Sequence, residues 1–190
     1  MRFFDALTSI ATALLTLLAF MQWRGNRRLQ RAYISAEPHG VRSIRGAESL
    51  ILSHIAFHNV GQTTAREIVC RIKAEWSSDD KFKPPRIEKK ELEGTYIIPA
   101  GGKMIQGSPN ATYPAAETRT YFYVWGSIHY QDGFGGRRFT DFCHRYHHNS
   151  MVNYNGFYKA DPDEARHHDH GNDADKDRIW WEEWVSRFWK

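Results

Sequence analysis

The stretch REIVCRIKAEW, residues 66–76, alternates apolar and charged side chains at every second position. The apolar parity consists of Ile68, Cys70, Ile72, Ala74 and Trp76. The charged parity consists of Glu67, Arg71, Lys73 and Glu75, and Val69 alone departs from it. Because successive side chains of a strand point to opposite faces, this period of two predicts a β-strand with one buried face.

A second strand-like face follows the same period near residues 120–130. Its members are Phe122, Val124, Gly126, Ile128 and Tyr130. Breaks rich in Pro, Gly and Asn, which mark turns, lie at 59–62, 84–85, 99–102 and 132–136. The pattern predicts strands at about 31–37, 50–58, 65–76, 87–92, 95–98, 103–107, 120–130, 137–146 and 153–158. Short strands without intervening helices indicate an antiparallel sandwich or barrel.

Two motifs resemble those of bacterial immunoglobulin-like modules. The stretch AFHNVGQTTA, residues 56–65, is similar to their N-x-G-x-T-x-A corner, and residues 99–102 are similar to their P-x-G turn. Over residues 5–146 the chain also resembles a group of uncharacterised bacterial membrane-anchored proteins. That resemblance rests on an R-A-Y strand opening (Arg31, Ala32, Tyr33), an N-V-G-Q-T corner (59–63) and a Y-x-D-x-F-G … F-C hairpin (Tyr130, Asp132, Phe134, Gly135, Phe142, Cys143).

The resemblance implies an antiparallel immunoglobulin-like β-sandwich behind one N-terminal transmembrane helix. It implies no activity. Thr64 departs from the group, which more often has Pro there, and so does the tail rich in His and Trp.

The N-terminal run ALTSIATALLTLLAFMQW, residues 6–23, contains no charged side chain. As a helix it spans about 27 Å, close to the hydrocarbon thickness of a bilayer. Trp23 lies where an interfacial aromatic residue is expected. A cleaved signal peptide is the alternative, but no small-x-small cleavage site follows the run. We therefore predict an uncleaved anchor over residues 1–30.

The charges that flank this run predict its orientation. Four arginines follow it, at Arg24, Arg27, Arg28 and Arg31. The positive-inside rule then places the globular part in the cytoplasm. These arginines are better explained by a membrane than by nucleic acid, so we expect no nucleic-acid partner.

One face of the predicted helix is lined with small and hydroxyl side chains. Thr8, Thr12 and Thr16 recur at every fourth position. Such a stripe can pack against a membrane partner or a second copy. The alternative is that each hydroxyl bonds the carbonyl four residues earlier in its own helix.

Composition narrows the class of protein. Aromatic residues make up 14% of the 190 residues, which argues against global disorder. The two cysteines, Cys70 and Cys143, exclude a disulfide-dense mini-protein and a four-cysteine zinc module. We expect free thiols if the domain is cytoplasmic and one disulfide between the sheets if it is outside.

No dinucleotide, P-loop, nucleophile-elbow or H-E-x-x-H motif occurs in the chain. The sequence therefore predicts a protein that is not an enzyme.

Histidines concentrate towards the C-terminus. Six of the ten are His144, His147, His148, His167, His168 and His170, and carboxylates are interspersed among them. Imidazole with carboxylate suits Zn, Ni or Cu, although the spacing matches no closed zinc motif. The competing interpretation is a solvated His/Asp-rich linker over 161–174 that binds metal only weakly.

The last stretch, 175–190, has the apolar spacing of an amphipathic helix. Its stripe contains Trp180, Trp181, Trp184, Val185, Phe188 and Trp189. This apolar stripe could have three binding sites: the surface of the sandwich, the membrane interface, or a groove on a partner protein.

The sequence thus predicts an anchor over 1–30, a β-sandwich over 31–160, a linker over 161–174 and a Trp-rich helix over 175–190. The expected function is that of a membrane-anchored, non-catalytic interaction or accessory module. Its expected partners are the lipid bilayer and a protein bound through the anchor or the C-terminal helix. The alternative is a metal-binding or metal-sensing envelope protein that uses the histidines between 144 and 170.

Overall fold

The computed structural model describes residues 2–114 and 120–174. It contains one long helix followed by antiparallel strands. The helix α1 spans Arg2–Gln30. The strands are β1 (Ile34–Ile44), β2 (Ala47–Asn59), β3 (Ala65–Ser77), β4 (Glu93–Ile98), β5 (Lys103–Gly107), β6 (Ala111–Thr112), β7 (Tyr121–Gln131), β8 (Arg137–His147), β9 (Val152–Tyr154), β10 (Phe157–Ala160), β11 (Arg166–His167) and β12 (Asp173–Ala174).

The strands form two sheets. In the first sheet the order is β5-β2-β1-β10-β9, and β6 also pairs with β2. In the second sheet the order is β11-β8-β7-β3-β4, and β12 also pairs with β8. Every pairing is antiparallel. The predicted antiparallel, mainly β class is therefore confirmed.

The two sheets share one apolar core. The parity predicted for β3 is confirmed, because Ile68, Ile72 and Trp76 are all buried in this core. Phe57 of the first sheet meets Phe142 of the second edge to face, with ring centres 5.7 Å apart. Such aromatic contacts across the core hold the sheets face to face.

Two predicted strands differ from the structure. Residues 87–92 form no strand, and Lys89–Glu91 is a short 3-10 turn instead. Glu91 folds back on Glu88 N with a 3.1 Å hydrogen bond and pairs with Lys73, so its carboxylate favours the turn.

The strand predicted at 153–158 is a hairpin of β9 and β10. It turns at Asn155-Gly156, where both φ angles are positive, at 51° and 90°. An Asn-Gly pair in this conformation makes a type I′ turn.

The predicted linker 161–174 also needs correction. Its residues pair with β8 through β11 and β12, with His167 opposite His144 and Ala174 opposite Thr140. Asn172 Oδ1 accepts a 2.8 Å hydrogen bond from Cys143 N. The segment is polar because it covers a sheet edge with hydrogen bonds, so its composition resembled that of a solvated linker.

The helix α1 lies outside this core. Residues 7–26 are exposed on every face of the helix, and α1 is long and apolar enough to cross a membrane. No residue in that range is buried, so α1 projects away from the sheets. We call the end of the domain that α1 joins the helix-proximal end. It is formed by residues 31–33, 60–64, 99–102 and 132–136.

Candidate functional site

The junction between α1 and the domain is made by one arginine and two aromatic rings. The guanidinium carbon of Arg27 lies 4.8 Å from the centre of the Trp23 ring and 4.6 Å from that of Phe134. Arg27 Nη2 also donates a 3.3 Å hydrogen bond to the Phe134 carbonyl oxygen. Because Phe134 lies in the β7–β8 turn, these contacts hold that turn beside the last part of α1.

This turn is held by the buried carboxylate of Asp132. Its Oδ1 accepts hydrogen bonds from Phe134 N at 3.0 Å and Gly136 N at 2.7 Å, and its Oδ2 accepts one from Arg138 Nε at 3.1 Å. Gly135 supplies the positive φ, 83°, that the turn needs. The hairpin predicted across 132–136 is confirmed.

The corner that follows β2 is organised by Asn59, which is fully buried. The two N–H groups of its amide lie within hydrogen-bond distance of three carbonyl oxygens, so one N–H is shared, and its amide oxygen accepts from two backbone N–H groups. The donated bonds reach Thr63 (2.8 Å), Ile98 (3.1 Å) and Pro99 (3.2 Å), and the accepted bonds come from Tyr33 (3.2 Å) and Gly61 (3.1 Å). A Cβ on Gly61 would overlap the Arg31 carbonyl oxygen, so only glycine fits here. These contacts give Asn59 and Gly61 structural roles.

The outer face of the second sheet carries side chains in rows across β3, β7 and β8. From the helix-proximal end the rows are Arg66, Gln131 and Arg137; then Val69, His129 and Phe139; then Arg71, Ser127 and Asp141; then Lys73, Trp125 and Cys143; then Glu75, Tyr123 and Arg145. In the last two rows Tyr123, Trp125 and Cys143 are covered, and the first three rows border a cleft.

Two parts of the chain form the cover: the loop after β3, which contains Phe82, and the edge segment 161–174, which contains His168. Phe82 packs on Tyr123 and Trp125 with ring centres 4.8 Å and 5.5 Å away. His168 closes the other side, because its Nε2 lies 2.6 Å from the Phe82 carbonyl oxygen and its ring meets Tyr123. This part of the face is a second, small apolar core.

The first three rows border a cleft of about 1090 Å³ beside residues 86–92. Its floor includes the apolar side chains of Val69 and Phe139 on either side of His129. Its walls carry both signs of charge, from Arg86, Lys89, Arg137, Arg138, Glu67, Glu88 and Asp141. Burial lowers the pKa of His129 against the opposing effect of Asp141, and Lys89 and Arg86 lower it further. His129 is therefore neutral at pH 7.

One wall of the cleft contains a bulge in β3. Glu67 has a φ of 49°, and the register with β7 shifts between Arg66 and Val69. A positive φ is uncommon for a residue other than glycine, and bulges of this kind redirect side chains at sheet edges. Here the bulge places Glu67 on the cleft wall.

The sequence indicated this cleft only in part. Ser127 and His129 lie at the alternate positions of the strand predicted near 120–130, so its pattern points them away from the core. The crossing of 84–92 over the sheet has no such signal, because part of that segment is predicted as a strand, and the sequence alone does not identify Arg86 and Lys89 as wall residues.

The six histidines predicted as metal ligands fall into separate groups. The rings of His144 and His167 lie 4.9 Å apart, and those of His168 and His170 lie 5.6 Å apart. His147 bonds the backbone N of Asn149, and His148 lies 2.8 Å from the Tyr113 hydroxyl. Within 2–114 and 120–174, no group of three or more His, Cys, Asp or Glu side chains is placed to hold a metal ion.

His144 is the most unusual of these histidines. It is fully buried, and no hydrogen bond of normal geometry reaches either ring nitrogen. Burial and the neighbouring His167 lower the pKa of His144 to about 4, against a smaller opposing effect of the Ala36 backbone. Its ring also stacks on Phe142, with centres 5.7 Å apart.

The disulfide between the sheets, which was the alternative for a domain outside the cell, does not fit the structure. Cys70 on β3 and Cys143 on β8 belong to the same sheet, with β7 between them. Two strand spacings separate them by about 10 Å, beyond the roughly 7 Å that a disulfide can bridge. Both are free and buried. Burial raises the pKa of Cys70 and raises that of Cys143 to about 12, so both thiols are protonated.

The hydroxyl stripe on α1 bonds within its own helix. Thr8, Thr12 and Thr16 each donate a 2.8 Å hydrogen bond to the carbonyl four residues earlier. The local alternative therefore accounts for these hydroxyls. The predicted interaction residues of the C-terminal helix, Trp180, Trp181, Trp184, Phe188 and Trp189, lie outside the described residues.

No family model, no curated protein and no solved structure matches this chain.

Proposed function

We propose that the chain is a single-pass membrane protein whose domain acts at the bilayer surface as a non-catalytic interaction module. The observation that carries this proposal is the exposure of every residue from 7 to 26 on α1. An apolar helix exposed on every side is unstable in water, and a bilayer covers such a helix. The basic cluster at Arg24, Arg27 and Arg28 favours a cytoplasmic domain by the positive-inside rule.

The order of the long strands supports an immunoglobulin-like class for the domain. One sheet takes β1, β2 and β5, and the other takes β3, β4, β7 and β8. Counted along the chain, this is the partition of strands A, B and E against C, F and G with an added strand next to C, which immunoglobulin-like sandwiches use. Because that architecture serves many functions, the surface has to define the role.

The cleft is the surface that suits a protein partner. An apolar floor with charged walls of both signs fits an extended peptide segment, whose side chains alternate in direction. A small molecule is usually enclosed in a deeper and more apolar pocket.

Charging the middle of α1 should release the protein from membranes. In the double variant Leu14→Arg, Leu18→Arg, each arginine at the helix centre costs about 2.5–3.5 kcal/mol of insertion free energy. We expect the variant to appear in the soluble fraction after carbonate extraction, while the wild-type protein stays in the pellet.

Leu29→Arg is the matched control, because Leu29 is exposed on α1 beyond the apolar run. This variant should stay in the pellet. If the double variant also resists carbonate, α1 is not the anchor and the proposal fails.

A second candidate function is metal binding, and the pair of His144 and His167 favours it. Two neighbouring imidazoles on paired strands can supply two nitrogen ligands to Zn or Ni, and further ligands would complete the shell. Neutral imidazole is the form that binds metal, and His144 is neutral well below pH 7.

If this pair binds metal, Zn should raise the midpoint of thermal unfolding of the full chain in detergent. His167→Ala should remove the shift, and His170→Ala should keep it because His170 lies in the other histidine group. Equal loss in both variants, or no shift in the wild-type protein, would leave only generic binding by the tract.

A further inference from the structure

The helix-proximal end of the domain carries exposed apolar side chains that the core does not use. Val60 is 55% exposed, and Tyr33 and Phe134 are each 37% exposed. All three lie on the loops that surround the junction with α1. Exposed apolar groups at loop tips on one side of a domain mark an interaction surface.

Arginines surround these apolar side chains. Arg24 is exposed on α1, and Arg66 and Arg137 are exposed on the domain. Arg66 and Arg137 both pair in register with Gln131, so they flank it in the first row of the second sheet. This row is the last one before the β7–β8 turn, which touches Arg27.

The acidic groups at this end do not cancel that charge. Asp132 is buried and satisfied within its own turn and by Arg138. Glu67 stands next to Arg66 in the β3 bulge and is the exposed carboxylate of this region. The surface is therefore apolar at its loop tips and positive around them.

Two observations identify the occupant of this surface. First, α1 projects away from the same end of the domain, so a bilayer that covers α1 faces this surface directly. Second, arginines around aromatic and aliphatic tips complement a headgroup layer that is negative outside and apolar beneath.

We propose that the helix-proximal end is a lipid-docking surface that rests on anionic headgroups, with Tyr33, Val60 and Phe134 at the headgroup level. This inference rests on the proposed function, because it requires α1 in the bilayer. Docking adds a second contact to the single helix and so fixes the tilt of the domain. The open cleft then lies at the side of the domain, just above the headgroups.

The test is a depth measurement on the full chain in nanodiscs. A nitroxide on Val60→Cys is compared in phosphatidylcholine alone and in a mixture with phosphatidylglycerol. We expect the anionic lipid to reduce collisions with a water-soluble nickel chelate several-fold and to increase those with oxygen, and we expect high salt to reverse both effects. The matched control is Tyr154→Cys, which is 67% exposed on β9 at the opposite end and should show neither effect.

A second experiment reverses the charge of exposed arginines and repeats the collision measurement at Val60. Arg66→Glu with Arg137→Glu should abolish the lipid-dependent difference at Val60. Arg42→Glu with Arg45→Glu, both exposed near the far β1–β2 turn, should leave it intact.

Three outcomes would overturn the inference. A Val60 label that behaves like the Tyr154 label in both lipids shows an undocked face. Protection of the Val60 label from both collision reagents shows that protein covers it, from the C-terminal segment or a second copy. Equal effects of the two charge reversals show a non-specific response. Failure of the chain to enter nanodiscs at all would instead refute the proposed function.

Discussion

Replacing Asn59 by alanine should lower the free energy of unfolding by about 3–5 kcal/mol, because each buried partner left unsatisfied costs about 1–3 kcal/mol. This one side chain joins the segment after α1, the corner after β2 and the turn after β4 through five hydrogen bonds. All five partners are backbone groups, and alanine replaces none of the bonds.

Asn59→Asp should be more destabilising than Asn59→Ala. A carboxylate only accepts hydrogen bonds, so its oxygen would face the carbonyl oxygens of Thr63, Ile98 and Pro99. One carboxylate oxygen would keep the N–H donors of Tyr33 and Gly61, but the other would be buried against carbonyl oxygens with no donor, which costs more than a missing amide.

Urea unfolding of the full chain in detergent, followed by near-ultraviolet circular dichroism, measures both effects. Asn110→Ala is the control, since Asn110 is exposed in the loop between β5 and β6 and should change stability by less than about 0.5 kcal/mol. An Asn59→Ala midpoint equal to that of the control would show that the corner does not stabilise the domain.

The same corner illustrates what the sequence predicts well. The residue types at 59–62 predict a turn, and the structure adds the side-chain hydrogen bonds of Asn59 to partners on β4 and after α1. Ile98 and Pro99 are 39 and 40 residues away along the chain, and Tyr33 is 26 residues away. Local pattern gives the residue that organises a corner, but it carries no information about distant backbone groups.

Alternation is a reliable signal where it is present. β3 alternates because one face meets the core. Residues 87–92 do not alternate, because their two apolar side chains, Ile87 and Leu92, have opposite parity. Ile87 packs on the small outer core and Leu92 lines the cleft, so the segment crosses the second sheet without pairing. The edge segment 161–174 also lacks alternation, and its short pairings with β8 leave no periodic signal.

Lowering the pH should destabilise the domain through His144. Its pKa is about 4 in the folded state and about 6.5 in an unfolded chain. The unfolded state therefore binds a proton before the folded state does. The stabilisation is complete above pH 6.5 and is lost as pH falls towards 4, by about 3 kcal/mol in total at 1.36 kcal/mol per pKa unit.

His144→Leu should remove this contribution, because leucine fills the buried site without a titratable group. Burial also lowers the pKa values of His54 and His129, so both forms of the protein lose some stability in acid. The informative quantity is the free energy of unfolding of the wild-type protein minus that of His144→Leu. It should fall by about 3 kcal/mol from pH 7 to pH 4.

Exposed His39 gives the matched control, and His39→Leu should keep the wild-type slope. Parallel curves for wild type and His144→Leu would show that His144 gains a proton as readily as an exposed imidazole. The location makes that outcome unfavourable: a protonated ring would lie against Phe142 with His167 alongside and with little water to solvate it. Because β11 brings His167 to this position, the same experiment tests whether the edge segment 161–174 is part of the folded domain.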